Sequence, residues 1–505
     1  MGDAIYDLVI VGGGINGCGI ARDAAGRGLK VLLVEQDDLA SATSSWSSKL
    51  IHGGLRYLEH YEFRLVREAL QEREVLLRLA PHLIHPLEFI LPHDKHMRPA
   101  WMVQVGLLMY DHLGGRVSLP HSRMVPFPDP IYSAGLKSSI RRGFFYSDAK
   151  VDDARLTVLN AISAREHGAD ILTRTKLVTG SRSNECWRLT VTDMVTGNKR
   201  EVRAKGLVNA AGPWVKQVLD ESLHSPQAAS VRLVKGSHIV VPRVHDQGHA
   251  YILQNPDKRV IFIIPFEGRF SLIGTTDVAV GSIDEGHQIS QAEVTYLLQS
   301  ANRYLANSIN ENDIVWSYAG VRPLYDDGAR NPSEITRDYV LKLDHESGRL
   351  PLLSVFGGKI TTYRRLAEHA LADLSRFYDH MHHPWTANEP LPGGDIESTG
   401  EEVHEVTKSY RELPIDYLTQ LVCRYGSRVR SVLGKTCRFS DLGASFGAGA
   451  NMLCEREIDY LIREEWARHP ADILWRRTKT GLHMTVAERA EAESFIGDRL
   501  KEIAR

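Results

Sequence analysis

Four apolar residues, Leu8-Val9-Ile10-Val11, run into Gly12-Gly13-Gly14-Ile15-Asn16-Gly17, and a second unbroken run, Val31-Leu32-Leu33-Val34, ends at Glu35. Continuous apolar runs of this length mark strands covered on both faces, as in a parallel sheet. The stretch between them, from Ile15 to about Arg27, has the length of one helix. Strand, glycine turn, helix, strand and acid in that order predict a dinucleotide-binding βαβ unit. Glycines at 12, 14 and 17 serve a tight turn, close approach to a pyrophosphate and close helix packing. The helix N-terminus offers its N–H groups to that pyrophosphate. Glu35 is placed to accept hydrogen bonds from both ribose hydroxyls of an adenosine and to repel a 2′-phosphate, so NADP is disfavoured.

Beyond this unit the pattern alternates. Residues 61 to 79 form a charged amphipathic helix stopped by Pro81, and the proline-rich stretch 85–130 turns back toward the cofactor unit. Within it, Arg98 to Tyr110 is apolar on most faces, aromatic toward both ends and basic at its start. That pattern is more often a buried core helix than an interfacial membrane helix, and it is the best candidate for membrane contact in the chain. A helix follows from Asp152 to about Glu166, then a strand at Asp170-Ile171-Leu172, then a hairpin around Thr196-Gly197-Asn198. The chain returns to the cofactor at Gly206 through Trp214. From about 230 to 345 strands dominate, as in an antiparallel sheet roofing a substrate pocket. Residues from about 400 to 505 are charged and helical.

The chain has 505 residues, 43% hydrophobic and 25% charged, enough for two or three domains. A formal net charge of −2 gives no electrostatic case for nucleic acid. Five cysteines, with no CxxC pair, read as reduced thiols in a cytoplasmic protein. Neither a signal peptide nor an apolar stretch long enough to span a bilayer is visible, so membrane contact is expected to be peripheral. His380, His382 and His383 lack a spaced partner set, and no metal is expected. The basic run Trp475-Arg476-Arg477-Thr478-Lys479 is expected on a solvated helix face, or against phospholipid or a dimer partner.

Two more segments narrow the chemistry to flavin. Thr43-Ser44-Ser45-Trp46-Ser47-Ser48-Lys49-Leu50-Ile51-His52-Gly53-Gly54-Leu55-Arg56-Tyr57 is dense in hydroxyls and glycine, suited to wrapping a pyrophosphate and approaching an isoalloxazine ring. Phe356-Gly357-Gly358-Lys359-Ile360-Thr361-Thr362-Tyr363-Arg364 opens a helix whose N-terminus can face the flavin N1/O2 edge as it takes up negative charge.

Through these blocks, and through Ala211-Gly212-Pro213-Trp214, Lys235-Gly236-Ser237-His238, Gly274-Thr275-Thr276-Asp277 and Gly320-Val321-Arg322-Pro323-Leu324, the chain resembles the bacterial FAD-dependent glycerol-3-phosphate dehydrogenases, relatives of the mitochondrial enzyme. The resemblance implies an α/β fold with an FAD-binding Rossmann-like domain of the glutathione-reductase/D-amino-acid-oxidase type. It adds an α+β substrate domain built on an antiparallel sheet and a C-terminal helical domain. The expected division is FAD-binding segments 1–85, 145–215 and 346–387, substrate segments 86–144 and 216–345, and helices over 388–505. It further implies non-covalent FAD, glycerol 3-phosphate as substrate, electron delivery to quinone, a homodimer, and peripheral attachment to the cytoplasmic face of the inner membrane.

Cofactor contacts are expected from Gly12, Gly14, Ile15, Asn16, Gly17, Glu35, Thr43, Ser44, Ser45, Ser47, Ser48, Lys49, His52, Gly53, Gly54, Val178, Gly212, Trp214, Gly357, Gly358, Lys359, Thr361 and Thr362. A phosphomonoester suits the guanidinium groups of Arg56 and Arg322, with Tyr57 adding a phenol donor. His238 or His52 is the candidate base for the C2 hydroxyl, and Lys359 the group that positions it. Two rivals share the fold: an oxidase that hands electrons to oxygen and releases hydrogen peroxide, and a flavin-binding interaction module with no catalysis.

Overall fold

The computed structural model describes residues 5–94, 97–115, 117–225, 231–326 and 338–503. The predicted βαβ unit is present as β1 (Tyr6–Val11), α1 (Ile15–Gly26) and β2 (Val31–Val34). Its strands lie mid-sheet, with β1 parallel to β2 and to β10 (Lys199–Asn209). β18 (Arg349–Phe356) continues the sheet on one side and β7 (Asp170–Leu172) on the other, both parallel. The antiparallel members are β17 (Val340–Glu346) and the ribbon of β8 (Thr175–Arg182) and β9 (Trp187–Asp193). Leu8, Val9, Ile10, Leu32 and Leu33 are fully buried because α1, α4 (Asp153–Glu166) and helix Tyr363–Leu374 cover one face while the ribbon side covers the other. Burial on both faces is what the unbroken apolar runs encode.

The second sheet is mainly antiparallel. Its central path runs β15 (Val278–Val280), β11 (Val231–Pro242), β14 (Phe270–Gly274), β13 (Val260–Phe266), β12 (Ala250–Gln254), β4 (Ile84–His93), β6 (Arg142–Val151) and β3 (Leu50–Ile51). β16 (Trp316–Tyr325) pairs along β11 and β5 (Arg123–Pro126) along β6. One face packs on helix Gln291–Asn302, and the other on α2 (Phe63–Leu79) and α3 (Ala100–Leu113). This pairing shifts the expected segment boundaries. β3 and all of β4 and β6 belong to the substrate sheet, and β17 belongs to the cofactor sheet.

The C-terminal helices have their own core, centred on Leu418, Leu421, Tyr425, Ile458 and Leu461, with a two-stranded ribbon as their sheet among the described residues. They dock through charge. Arg477 and Arg476 pair with Asp38, Lys479 with Asp152, and Arg155 with Glu465. The basic run is therefore neither solvated nor turned to lipid or a partner: Arg477 and Lys479 are buried and neutralised by carboxylates of the cofactor domain.

α3 also departs from a core helix. Leu107 and Tyr110 are buried, but Trp101, Met102, Val105, Leu108 and Met109 face solvent. Its apolar residues nearly encircle it, so one side packs on the substrate sheet and the remainder is left outside.

Candidate active site

The glycine turn forms one wall of a cleft of about 550 Å³. At Gly12, φ is +114° and a Cβ would stand 2.5 Å from the Ala210 carbonyl oxygen; at Gly17 it would stand 1.9 Å from that of Gly12. Both positions therefore require glycine. Gly14 differs, because a Cβ there would meet only Ser44 Oγ, at 3.1 Å, and its absence keeps the cleft wall low. The Ile15 N–H at the start of α1 donates to Ser44 Oγ at 2.9 Å. At the far end Asn16 Nδ2 donates to the Gly357 carbonyl at 3.1 Å, joining the first turn to the Gly357-Gly358 pair ahead of helix Tyr363–Leu374.

Glu35 lines the cleft and accepts from the Gly13 and Asp37 N–H groups at 2.6 and 2.8 Å. Burial, with Asp37 and Asp38 nearby, pushes its carboxyl up to about 7. Thr43, Val178, Gly212 and Trp214 complete the cleft with Gly12, Gly14, Ile15, Asn16 and Ser44, all of them candidate cofactor residues in the sequence.

Several expected contacts are elsewhere. Ser45 Oγ bonds the Ala40 carbonyl, Ser47 Oγ donates to Asp153 at 2.7 Å, and Lys49 Nζ is buried against Asp153 at 2.7 Å and the Ser45 carbonyl at 2.8 Å. Ser47 and Lys49 tie the loop to α4 through Asp153, because a buried ammonium needs its carboxylate, and Ser45 ties the loop to itself; none of the three lines the cleft. Gly53 and Gly54 make room for Leu70 and Tyr57. Gly17 packs behind the turn, and Thr361 receives the His52 N–H at 3.2 Å. Cys18 is buried with its thiol on the Gly13 carbonyl, and burial pushes that thiol far up.

Beside the cleft, one row crosses four strands of the second sheet: Phe262 on β13, Gly274 on β14, His238 on β11 and Tyr318 on β16. A Cβ at Gly274 would fall 2.1 Å from His238 Cδ2, so the imidazole lies where that side chain would be. His238 Nε2 is 2.9 Å from Ser48 Oγ, and its ring stacks on Tyr318 at 4.8 Å. Burial, reinforced by Lys49 and Arg322, holds its pKa down at about 3, so the ring is neutral. Nδ1 is buried with no hydrogen-bond partner among the described residues.

His52 meets Phe262 edge-on at 6.5 Å and is likewise held down by burial. Arg322 is four residues along β16 from Tyr318, on the same face, with Nη2 on Asp277 Oδ1 at 2.5 Å. Lys359 Nζ sits 3.8 Å from the Tyr57 ring centroid. Arg56, half-buried next to Tyr57, has no ion-pair partner among the described residues. Phe262 and Tyr318 escaped the sequence reading, and Trp46, 5.4 Å from the Tyr318 ring, and Asp277 were given no role of their own there. Both of the latter carried a signal: Trp46 sits in the hydroxyl-rich loop after β2, and Asp277 in the segment Gly274–Asp277, with Arg322 a strand away.

A family model for FAD dependent oxidoreductases matches residues 7–364. The chain belongs to that family. A second model, the C-terminal domain of alpha-glycerophosphate oxidase, matches residues 384–497. The chain is 51% identical to the aerobic glycerol-3-phosphate dehydrogenase of Escherichia coli (strain K12), over 97% of each chain. It is 50% identical to the D-erythritol 1-phosphate dehydrogenase of Brucella abortus (strain 2308), over 96% of each. Among solved structures, the glycerol-3-phosphate dehydrogenase of Bacillus halodurans complexed with FAD is similar over 99% of this chain and 95% of that one, at TM-score 0.73 and 26% identity.

In this FAD-dependent oxidoreductase the cleft residues fit the cofactor. A helix N-terminus and a low glycine wall suit the pyrophosphate, and Glu35 suits the adenosine ribose. The state of Glu35 sets a pH dependence. Below about pH 7 its carboxyl is protonated in the FAD-free chain, and ribose hydroxyls donate best to the ionised form. FAD affinity of the apoprotein is expected to fall up to about tenfold per pH unit below 7. Glu35→Gln should flatten that slope, as read by flavin fluorescence quenching.

Proposed function

We propose that this chain oxidises the C2 hydroxyl of sn-glycerol 3-phosphate to give dihydroxyacetone phosphate and passes the electrons to a membrane quinone. The observation that carries this reading is a buried neutral imidazole, His238, on the same sheet as Arg322 and beside a flavin cleft, with Arg56 eight residues on from its partner Ser48. A phosphomonoester brings about two negative charges, which guanidinium groups bind in bidentate fashion. Arg56 is available as it stands, and Arg322 exchanges Asp277 for the phosphate. His238, with Nε2 held by Ser48, accepts the C2 hydroxyl proton at Nδ1. The substrate's charge raises that imidazole from about 3 toward the working range of a base. Lys359 and Tyr57 fix the glycerol end. FAD, when bound, supplies the hydride acceptor.

Anaerobic absorbance of the FAD-loaded protein tests this. Glycerol 3-phosphate should bleach the flavin band and a soluble quinone analogue should restore it. Oxygen restoring it equally fast, with peroxide released, would point to an oxidase. No bleaching with any polyol phosphate would leave a silent module. The Brucella relative favours one second reading, a longer polyol phosphate, so D-erythritol 1-phosphate belongs in the same cuvette. Arg56→Ala is expected to raise KM at least tenfold.

The solvent-facing side of α3 supports peripheral attachment to a membrane, and the cytoplasmic face of the inner membrane is the one the family resemblance implies. Trp101, Val105, Leu108 and neighbouring Tyr61 are exposed, and Arg98 stands at its start. No helix among the described residues is long and apolar enough to cross a membrane. An amphipathic surface of this kind rests in the interface plane. Trp101→Glu with Leu108→Glu should weaken sedimentation with anionic vesicles about tenfold or more while leaving flavin bleaching intact. The homodimer rests on family resemblance, and light scattering would read it as twice the 56.6 kDa chain mass.

A further inference from the structure

A second cavity, of about 330 Å³, opens where the cofactor domain, the substrate sheet and the C-terminal helices meet. Its wall carries five cations, Lys49, Lys150, Arg155, Arg424 and Lys479, against two carboxylates, Asp152 and Glu267. Four of the cations have carboxylate partners: Lys49 with Asp153, Arg155 with Glu465, Arg424 with Glu457 and Lys479 with Asp152. Two features stay unbalanced. Lys150, exposed at the end of β6, has no ion-pair partner among the described residues. Arg155 is 1% exposed, stacked 4.8 Å from the Tyr425 ring centroid, and its Nε and Nη2 have no hydrogen-bond partner there.

A buried guanidinium with two idle nitrogens is costly unless something accepts from them. Three wall residues, Lys49, Glu267 and Lys479, also hold positive φ of 57°, 45° and 58°. Such strain in non-glycine residues persists only where the surroundings impose it.

We propose that this junction is a binding site for a small oxyanion, a phosphate group free or carried on an organic molecule, with Arg155 and Lys150 as its donors. It adjoins the substrate face, where Lys49 Nζ stands 5.2 Å from the Tyr318 ring centroid, but has its own lining. Lys49 lines this cavity, while the next residue back, Ser48, bonds His238.

The test is equilibrium dialysis of the FAD-loaded protein against radiolabelled orthophosphate. Two phosphates per chain are expected in the unaltered protein, one on the substrate face and one at the junction. Arg56→Ala should leave the junction phosphate alone. Lys150→Glu, at an exposed position, should leave only the substrate-face phosphate and keep flavin bleaching unchanged. Cys423→Phe, which fills the cavity from helix Ile415–Tyr425, should act as Lys150→Glu does. A single phosphate in the unaltered protein, retained in full by Lys150→Glu and Cys423→Phe, would overturn the proposal. If Arg56→Ala still binds two, the junction stands and the role given to Arg56 falls. In the Arg56→Ala protein, displacement of label by glycerol 2-phosphate at a tenth of the orthophosphate concentration would mark an organic phosphate as the ligand. The reverse order would mark inorganic phosphate.

Discussion

Replacing His238 by alanine is expected to lower kcat by about 10²–10⁴-fold while FAD content and KM stay near their original values. The imidazole is set in place by three independent contacts: Ser48 on Nε2, Tyr318 on its face, and the space left by the missing Cβ of Gly274. The proposed phosphate clamp lies on other residues, so binding should survive while proton removal should not. Gly274→Ala should give a comparable loss with the imidazole still present, since its new carbon would occupy the ring's place. Ser48→Ala should cost less, because it frees the ring without removing it. Acid behaviour follows from the same residue. In the unfolded chain the ring takes a proton near pH 6.5, which the folded site refuses until about 3. His238 therefore supports the fold above pH 6.5, and that support fades as pH falls below it. A His238→Ala protein that kept a tenth or more of kcat would move the base to His52.

The cofactor half of this site was legible because each requirement is local. A strand buried on both faces writes itself as an apolar run, and a turn with no room for Cβ writes itself as glycine. The substrate half was legible only in its chemistry. Arg322 and His238 stand out as residue types, but Phe262 and Tyr318 join them through the pairing of β13, β14, β11 and β16, which no spacing reveals. Charge misled most. Arg476 and Arg477 form a basic run in the chain, yet their partner Asp38 is 438 and 439 residues away. α3 misled by its uniformity, since a helix apolar almost all round carries no mark of which side the core takes.

The pairing of Asp38 with Arg477 gives the second large effect. Arg477 is fully buried, and its Nη2 donates to Asp38 Oδ1 at 2.7 Å and to the Glu465 carbonyl at 2.7 Å, while Nη1 reaches Asp38 Oδ2. Arg477 holds the Asp38 carboxyl below the usual range despite its burial. Asp38 is three residues past Glu35, on the loop that walls the adenosine end of the cleft. Removing one partner leaves buried carboxylate without full compensation, at a cost of about 3–5 kcal/mol. Arg477→Met is therefore expected to lower the melting temperature by several degrees and to release flavin before the remainder of the fold melts. Scanning fluorimetry on the flavin signal would show that order. Arg477→Lys keeps the charge but loses the two-pronged geometry, so it should fall between. Adding Asp38→Asn to Arg477→Met should recover part of the loss, because the stranded charge goes with it. A variant that melts and holds flavin as the unaltered protein does would mean that the C-terminal helices only cover the cofactor domain. The predicted order of events would mean that they hold its loop in the shape FAD binds.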